Sequence, residues 1–283
     1  MQKIIITADS ACDLSPELIN RYDIKIMPFV VNLGDDMFRD GVDITPNMIY
    51  DYADKMKKLP KTAAPSVNEY EELFAANTKN GETVIHFNIS HKISAGNQNA
   101  QIAKKEFGDK VIVIDTFALS TGIALNALYA RDLAAQGKSA LEIRDIIEAT
   151  KVKTNTSFVI DSLEYLYKGG RCSALAMFGA NLLKLKPFVY IKDAALTVLK
   201  KYRGMLEKVI EDYVLDLKEL YKDYDNTRCF ITHTAVCRDE IINIAKEKVK
   251  QHFDFKEILE TTAGSTITSH CGKNTIGVLF RYN

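Results

Sequence analysis

The sequence has no surplus of charge of either sign: lysine plus arginine and aspartate plus glutamate each total 37 in 283 residues. Zero formal net charge leaves no global field to gather a nucleic-acid backbone or an anionic membrane surface. It also lacks any C-x-x-C pair. The five cysteines, Cys12, Cys172, Cys229, Cys237 and Cys271, are scattered and odd in number, which argues against zinc or a redox dithiol and for reduced thiols in a cytoplasm. No metal site is expected. The longest apolar-looking stretch, Leu175 to Ile191, is broken by Lys184, Lys186 and Pro187, so no transmembrane span is read. The apolar run near the amino terminus, Ile4-Ile5-Ile6, is too short for a signal-peptide core. There is no G-x-G-x-x-G, no Walker pattern and no G-x-S-x-G elbow. There is also no internal repeat or low-complexity tract.

What is present is enough apolar material, 47% of residues, for two modest cores, and the length favours two domains. In the first half, short β-branched runs alternate with capped helical patterns, which predicts a parallel sheet with crossover helices. Ile4-Ile5-Ile6, Lys25 to Val31, Thr83 to Phe87 and Val111 to Ile114 read as strands. Ser15-Pro16, Thr45-Pro46, Ser66 with Glu69 and Ser139 with Glu142 read as helix starts. Apolar spacing predicts further helices over Ile93 to Phe107, Ile123 to Leu133 and Ala174 to Leu183. After about residue 150 the alternation is lost. Strands such as Phe188 to Ile191, Leu196 to Leu199, Cys229 to Thr232 and Ile276 to Phe280 sit among helices, suggesting a mixed or antiparallel sheet. The polar stretch Lys151 to Thr156 reads as the linker between the two parts.

Several segments could carry chemistry. Asp9-Ser10 follows the first strand at the carboxyl end, where open α/β sheets place ligands, although short polar side chains there also serve tight turns. Thr62 lies in a proline-bounded loop, Pro60 to Pro65, that could present its hydroxyl to an anion. Ser94, with Ala95 and Gly96, precedes a helix whose free amides favour an anion, and serves equally as an ordinary N-cap. Gly169-Gly170 permits a sharp turn that exposes Arg171, a candidate for phosphate or partner contact; Arg171 and Arg203 are by default surface arginines. His270, between small polar residues, can donate to a carboxylate. His86, His233 and His252 read as structural.

Together these segments resemble the DegV family of bacterial fatty-acid-binding proteins, in order from Ile4 to Phe280. The resemblance is carried by Asp9-Ser10, Arg39-Asp40-Gly41-Val42-Asp43-Ile44 and Thr62 to Ser66. It is strongest in Asp161-Ser-Leu-Glu-Tyr-Leu-Tyr-Lys-Gly-Gly-Arg171, Leu185-Lys186-Pro187 and Lys201-Tyr-Arg203-Gly204. The chain departs from the family pattern at Ala63, at Ala95-Gly96, and at Lys273-Asn274 after His270-Cys271-Gly272.

The resemblance implies a two-domain α/β fold. Residues 1–152 would form a Rossmann-like three-layer α/β/α domain with a parallel sheet, carrying the carboxylate-binding loops. Residues 153–283 would form a smaller α/β domain with a mixed or antiparallel sheet that makes much of the acyl-chain pocket. It implies a long-chain fatty acid as ligand, no cofactor and no catalytic residue in this chain. A separate ATP-dependent fatty acid kinase would phosphorylate the carboxylate for phospholipid synthesis. Thr62, Ser94 and His270 would hold the carboxylate, with Asp9, Ser10, Ala95 and Gly96 nearby, and Arg171 and Arg203 would meet the kinase. Burying about sixteen methylenes at roughly 0.8 kcal/mol each supplies on the order of 13 kcal/mol before association costs, so specificity must come from the headgroup. The alternatives are a stand-alone hydrolase or phosphotransferase using Ser94, His270 or Asp9, or a module for which lipid is an effector.

Overall fold

Ile4-Ile5-Ile6 forms a strand because β-branched residues fit a pleated surface that is buried on both faces. In the computed structural model, which describes residues 3–171 and 185–283, the first half runs β1 (Ile4–Asp9), α1 (Pro16–Tyr22), β2 (Ile24–Met27), β3 (Val30–Leu33), β4 (Asp36–Arg39), α2 (Pro46–Met56), β5 (Lys61–Ala63), α3 (Val67–Asn77), β6 (Thr83–Asn88), α4 (Gly96–Ala103), β7 (Val111–Asp115), α5 (Thr121–Ala135) and α6 (Ala140–Thr150). The second half comprises β8 (Thr154–Asn155), β9 (Ser157–Val159), α7 (Glu164–Lys168), β10 (Lys186–Lys192), β11 (Ala195–Tyr202), α8 (Leu206–Leu220), β12 (Tyr224–His233), α9 (Asp239–His252), β13 (Glu257–Thr262), α10 (Ser265–Cys271) and β14 (Ile276–Tyr282). The helix expected over Ala174 to Leu183 lies outside the described residues.

Strands β2, β1, β6 and β7 stand in that order as a wholly parallel sheet. Successive side chains alternate between its faces. Ile5, Val84, Val111 and Val113 pack with Tyr70 and Phe74 of α3 and Ala100 and Ala103 of α4. Ile6, Ile85, Ile112 and Ile114 pack with Leu18 of α1, Leu125 of α5 and Ile147 of α6. This is the three-layer Rossmann-like arrangement. The second sheet has the order β11-β10-β9-β14-β12-β13, with β8 also paired to β14, and only its β12–β13 pair is parallel. Helices α8 and α9 cover one face through Val209, Tyr213, Ile241 and Ala245.

Helix α5 lies between the two sheets and is buried on almost every side, as its near-continuous apolar sequence requires. The facing sides of the two sheets therefore share one apolar cluster through α5, while the outer face of each keeps a cluster of its own. The largest apolar cluster runs from Ile6 and Phe87 of the first sheet through α5 to Phe158, Phe230 and Leu279 of the second.

Three other expectations change. Lys25 to Val31 is not one strand: Pro28, which has no N–H for a ladder, separates β2 from β3, and β3 pairs instead with β4 and β5 in a small antiparallel sheet. The presumed linker Lys151 to Thr156 contains β8, and Asn155 donates from Nδ2 to the Val278 carbonyl, so it is built into the second sheet. The helix expected from Ile93 begins only at Gly96. The capping boxes of α3 and α6 form as their sequences require.

Candidate functional site

Thr62, Ser94, Arg171 and His270, distant in sequence, line one cavity between the two sheets. Each arrives by a different route. Thr62 is carried on β5, a short strand rather than the loop expected, because its neighbours hydrogen-bond to β3. Ser94 lies in the loop after β6, where its Oγ accepts the Gly96 N–H at 3.2 Å; Ala95 holds the N-cap position. Arg171 follows α7, and His270 sits in the last turn of α10. The other walls are apolar, among them Phe29, Ile89, Leu119, Phe158, Leu196 and Ile267. The enclosed space is about 40 Å³, and Leu119, Phe158, Ile267 and Cys271 separate it from about 20 Å³ more beside Thr232 and Leu279.

The short helix α10 is fixed at its start by two carboxylates from the first half. Asp40 accepts the Ser265 N–H on Oδ1 (2.8 Å) and the Thr266 N–H on Oδ2 (3.2 Å); Asp13 accepts the Gly264 N–H at 2.8 Å. Ser120 donates to Asp13 at 2.5 Å, and Ser10 donates to Asp40 at 2.9 Å. These acceptors satisfy amides that a helix leaves unpaired at its first turn. Burial pushes the Asp13 carboxyl up to about 8. Nothing in the local sequence assigns these partners, which lie more than 200 residues away.

At the other end of α10, His270 Nε2 meets Thr62 Oγ1 at 2.8 Å, while Nδ1 is buried without a partner. Burial, and then the nearby Arg171 charge, lower its pKa to about 4, so the imidazole is neutral near pH 7. Two glycines set this geometry. A Cβ on Gly169 would lie 2.5 Å from His270 Nδ1, and Gly272, with φ +72°, lets Tyr165 pack where a Cβ would stand 2.8 Å from its ring.

Arg171 is not displayed outward as the Gly169-Gly170 turn suggests. It is half-buried in the cavity wall and donates to the Gly169 carbonyl at 2.8 Å, because the chain turns back at the end of α7, where the Arg171 N–H donates to the Leu166 carbonyl. Arg203 is exposed in the turn after β11. Asp9, Ser10, Ala95 and Gly96 do not line the cavity. Asp9 is wholly buried, accepting from Tyr70 (2.9 Å) and from the Ile89 N–H (2.9 Å), with Asn88 and His86 beside it. It anchors the start of the loop that carries Ser94. A Cβ on Gly96 would stand 3.1 Å from the Tyr70 hydroxyl, so that glycine admits the network. His86 and His233 are held by protein partners, Thr7 and Glu260 among them, as their structural reading requires.

Chemically, the cavity offers hydroxyl, imidazole and guanidinium groups within an otherwise largely apolar lining, a composition suited to an amphipathic acid. A Ser94–His270 nucleophile pair is not supported, since the imidazole faces Thr62. Burial raises the Cys271 thiol to about 12, which leaves it inert as a thiolate. Among the described residues no cluster of metal-ligating side chains occurs, and no helix is long and apolar enough to cross a membrane.

The chain is 30% identical over 281 residues to a DegV domain-containing protein of Caldanaerobacter subterraneus, covering 99% of both. Its fold matches that of a DegV family protein from Thermus thermophilus, described as fatty-acid-binding, with a TM-score of 0.92, 26% identity and complete coverage of both chains. The Streptococcus pneumoniae fatty acid kinase B3 protein, solved loaded with linoleic acid, shares the fold with a TM-score of 0.85 at 20% identity, again over both whole chains. A family model described as an uncharacterised protein of the DegV family matches residues 3–283, and the chain therefore belongs to the DegV family.

Proposed function

We propose that this protein binds one long-chain fatty acid between its two sheets and carries it as a ligand, with its carboxylate presented to a separate ATP-dependent kinase. The observation that supports binding is that Thr62, Ser94, Arg171 and His270 line one largely apolar cavity. A buried carboxylate is costly unless donors satisfy it. Two hydroxyls, an imidazole and a half-buried guanidinium supply both hydrogen bonds and an opposite charge. Arg171 thereby serves the carboxylate as well as a kinase encounter, with exposed Arg203 left to the encounter alone. The fatty-acid-binding Thermus relative supports the ligand class, and the pneumococcal kinase B3 protein of the same fold supports the kinase.

A long acyl chain needs far more than 40 Å³, since ligand sites commonly enclose about 300–1,000 Å³. Binding in this reading parts the side chains of Leu119, Phe158 and Ile267 and joins the two small spaces they divide. The first half (1–152) contributes Thr62 and Ser94, and the second (153–283) contributes α10 and much of the apolar wall.

The test is denaturing mass spectrometry of an organic extract from the purified protein, with Ser94→Ala beside it. Stoichiometric long-chain fatty acid in the native protein, depleted in the variant, is the expected result. An empty protein that also refuses added fatty acid would refute carriage.

A further inference from the structure

The cavity contains one polar group more than a carboxylate requires. Thr266 lines it, is only 4% exposed, and among the described residues its Oγ1 has no hydrogen-bond partner. Its neighbours on α10 behave differently: Ser265 donates to the Ile44 carbonyl, Thr268 to Ala263 and Ser269 to Ser265. A helical threonine ordinarily finds the carbonyl one turn back. Thr266 alone on this helix leaves its hydroxyl unpaired and facing the apolar space, at a cost that a valine of the same shape would avoid.

An ionised carboxylate has about four lone-pair sites. Ser94, the several N–H groups of Arg171 and the one donor that the Thr62–His270 hydrogen bond leaves free suffice to fill them. Thr266 precedes His270 by four residues, so it stands on the same face of α10, about 6 Å along the axis at 1.5 Å per residue. The backbone amides at this end are already taken by Asp13 and Asp40, so the hydroxyl is the feature left unexplained.

We propose that Thr266 recognises a second oxygen on the ligand, a hydroxyl close to the carboxylate, and that the preferred occupant is a 2- or 3-hydroxy fatty acid rather than the unsubstituted acid. This rests on the fatty-acid reading of the cavity and specifies it further. A hydroxyl both donates and accepts, as the threonine does, so each satisfies the other in a place where neither reaches water. An unsubstituted chain puts a methylene against an unpaired hydroxyl.

The test is a titration of the full-length protein, stripped of lipid, with palmitic acid and with its 2-hydroxy, 3-hydroxy and 16-hydroxy derivatives, in the native protein and in Thr266→Val. In the native protein, the 2- or the 3-hydroxy acid should bind roughly fivefold to tenfold more tightly than palmitic acid, as one net buried hydrogen bond allows. The 16-hydroxy acid should gain nothing. Thr266→Val should abolish the preference while binding palmitic acid at least as well. Equal affinity for palmitic acid and both near-carboxyl hydroxy acids would overturn the inference while leaving fatty-acid carriage intact, as would a preference that survives in Thr266→Val. Failure to bind any of the four acids would overturn the fatty-acid reading itself, and the inference with it.

Discussion

Gly169→Ala places a methyl group 2.5 Å from His270 Nδ1 and 2.9 Å from the Tyr165 carbonyl, so the imidazole must move. The local dihedral suits alanine, because Gly169 has φ −76°, where alanine is favoured over glycine by about 1 kcal/mol. Overpacking costs about 1–3 kcal/mol, leaving a net loss of roughly 0–2 kcal/mol. At about 2–4 °C per kcal/mol for chains of comparable size, Tm should fall by no more than about 8 °C. Ligand binding should suffer more. Displacing the ring breaks the Nε2–Thr62 bond and misaligns the one donor that this pair offers the carboxylate, and a charge-assisted hydrogen bond of about 1.5–3 kcal/mol corresponds to a roughly tenfold to hundredfold loss of affinity. Gly170→Ala is the control: its φ of +72° costs about 1–2 kcal/mol in alanine, yet among the described residues nothing beyond its chain neighbours lies within 4 Å of the added methyl. Scanning calorimetry and titration of a fluorescent fatty acid should therefore separate the pair. Both lose stability or hold it narrowly, but only Gly169→Ala loses lipid. Full affinity in Gly169→Ala would refute the idea that the position of His270 matters to the ligand.

Other expectations follow from neighbouring groups. Asp13, raised from 3.8 to about 8 by burial, is protonated in the fold while the unfolded chain is ionised, so its contribution to stability falls as pH rises from about 4 to 8. Asp13→Asn keeps an acceptor for Gly264 and should flatten that part of the stability profile in urea titrations; an unchanged slope would show that Asp13 is ionised in the fold. Arg171→Ala should bind free fatty acid about tenfold to a hundredfold less well but its methyl ester nearly as before, and equal losses for both in isothermal titration would remove the charge pairing. Arg203→Ala should keep its lipid yet slow acyl-phosphate formation by a fatty acid kinase, measured as phosphate transfer from ATP, and normal turnover would exclude Arg203 from that encounter.

The elements legible in the sequence are those set by neighbours along the chain. Ile4 to Asp9 and Val111 to Asp115 are strands because short β-branched runs have few other solutions, and Ser66 with Glu69 starts α3 through bonds made within one turn. Thr62, Ser94 and His270 could be singled out because their segments together resemble a family, not because any one spacing fixed a site. The division at Pro28 was also available from its missing N–H, though the departure of β3 into a third sheet was not.

What only the tertiary structure decided are contacts between distant segments. Arg171 reads as a surface arginine because nothing near Gly169-Gly170 announces the cavity it turns into. Asp13 and Asp40 hold the start of α10 across more than 200 residues, a role that no local spacing announces. The burial of α5 between two sheets, which joins the facing sides of both in one apolar cluster, depends on how the sheets dock rather than on either sheet's sequence. Thr266 is the clearest case. Nothing in its sequence singles it out, and only the packing of α10 against β5 and α7 leaves its hydroxyl buried and unpaired, because hydrogen-bond satisfaction depends on every group within reach rather than on the residue that carries the oxygen.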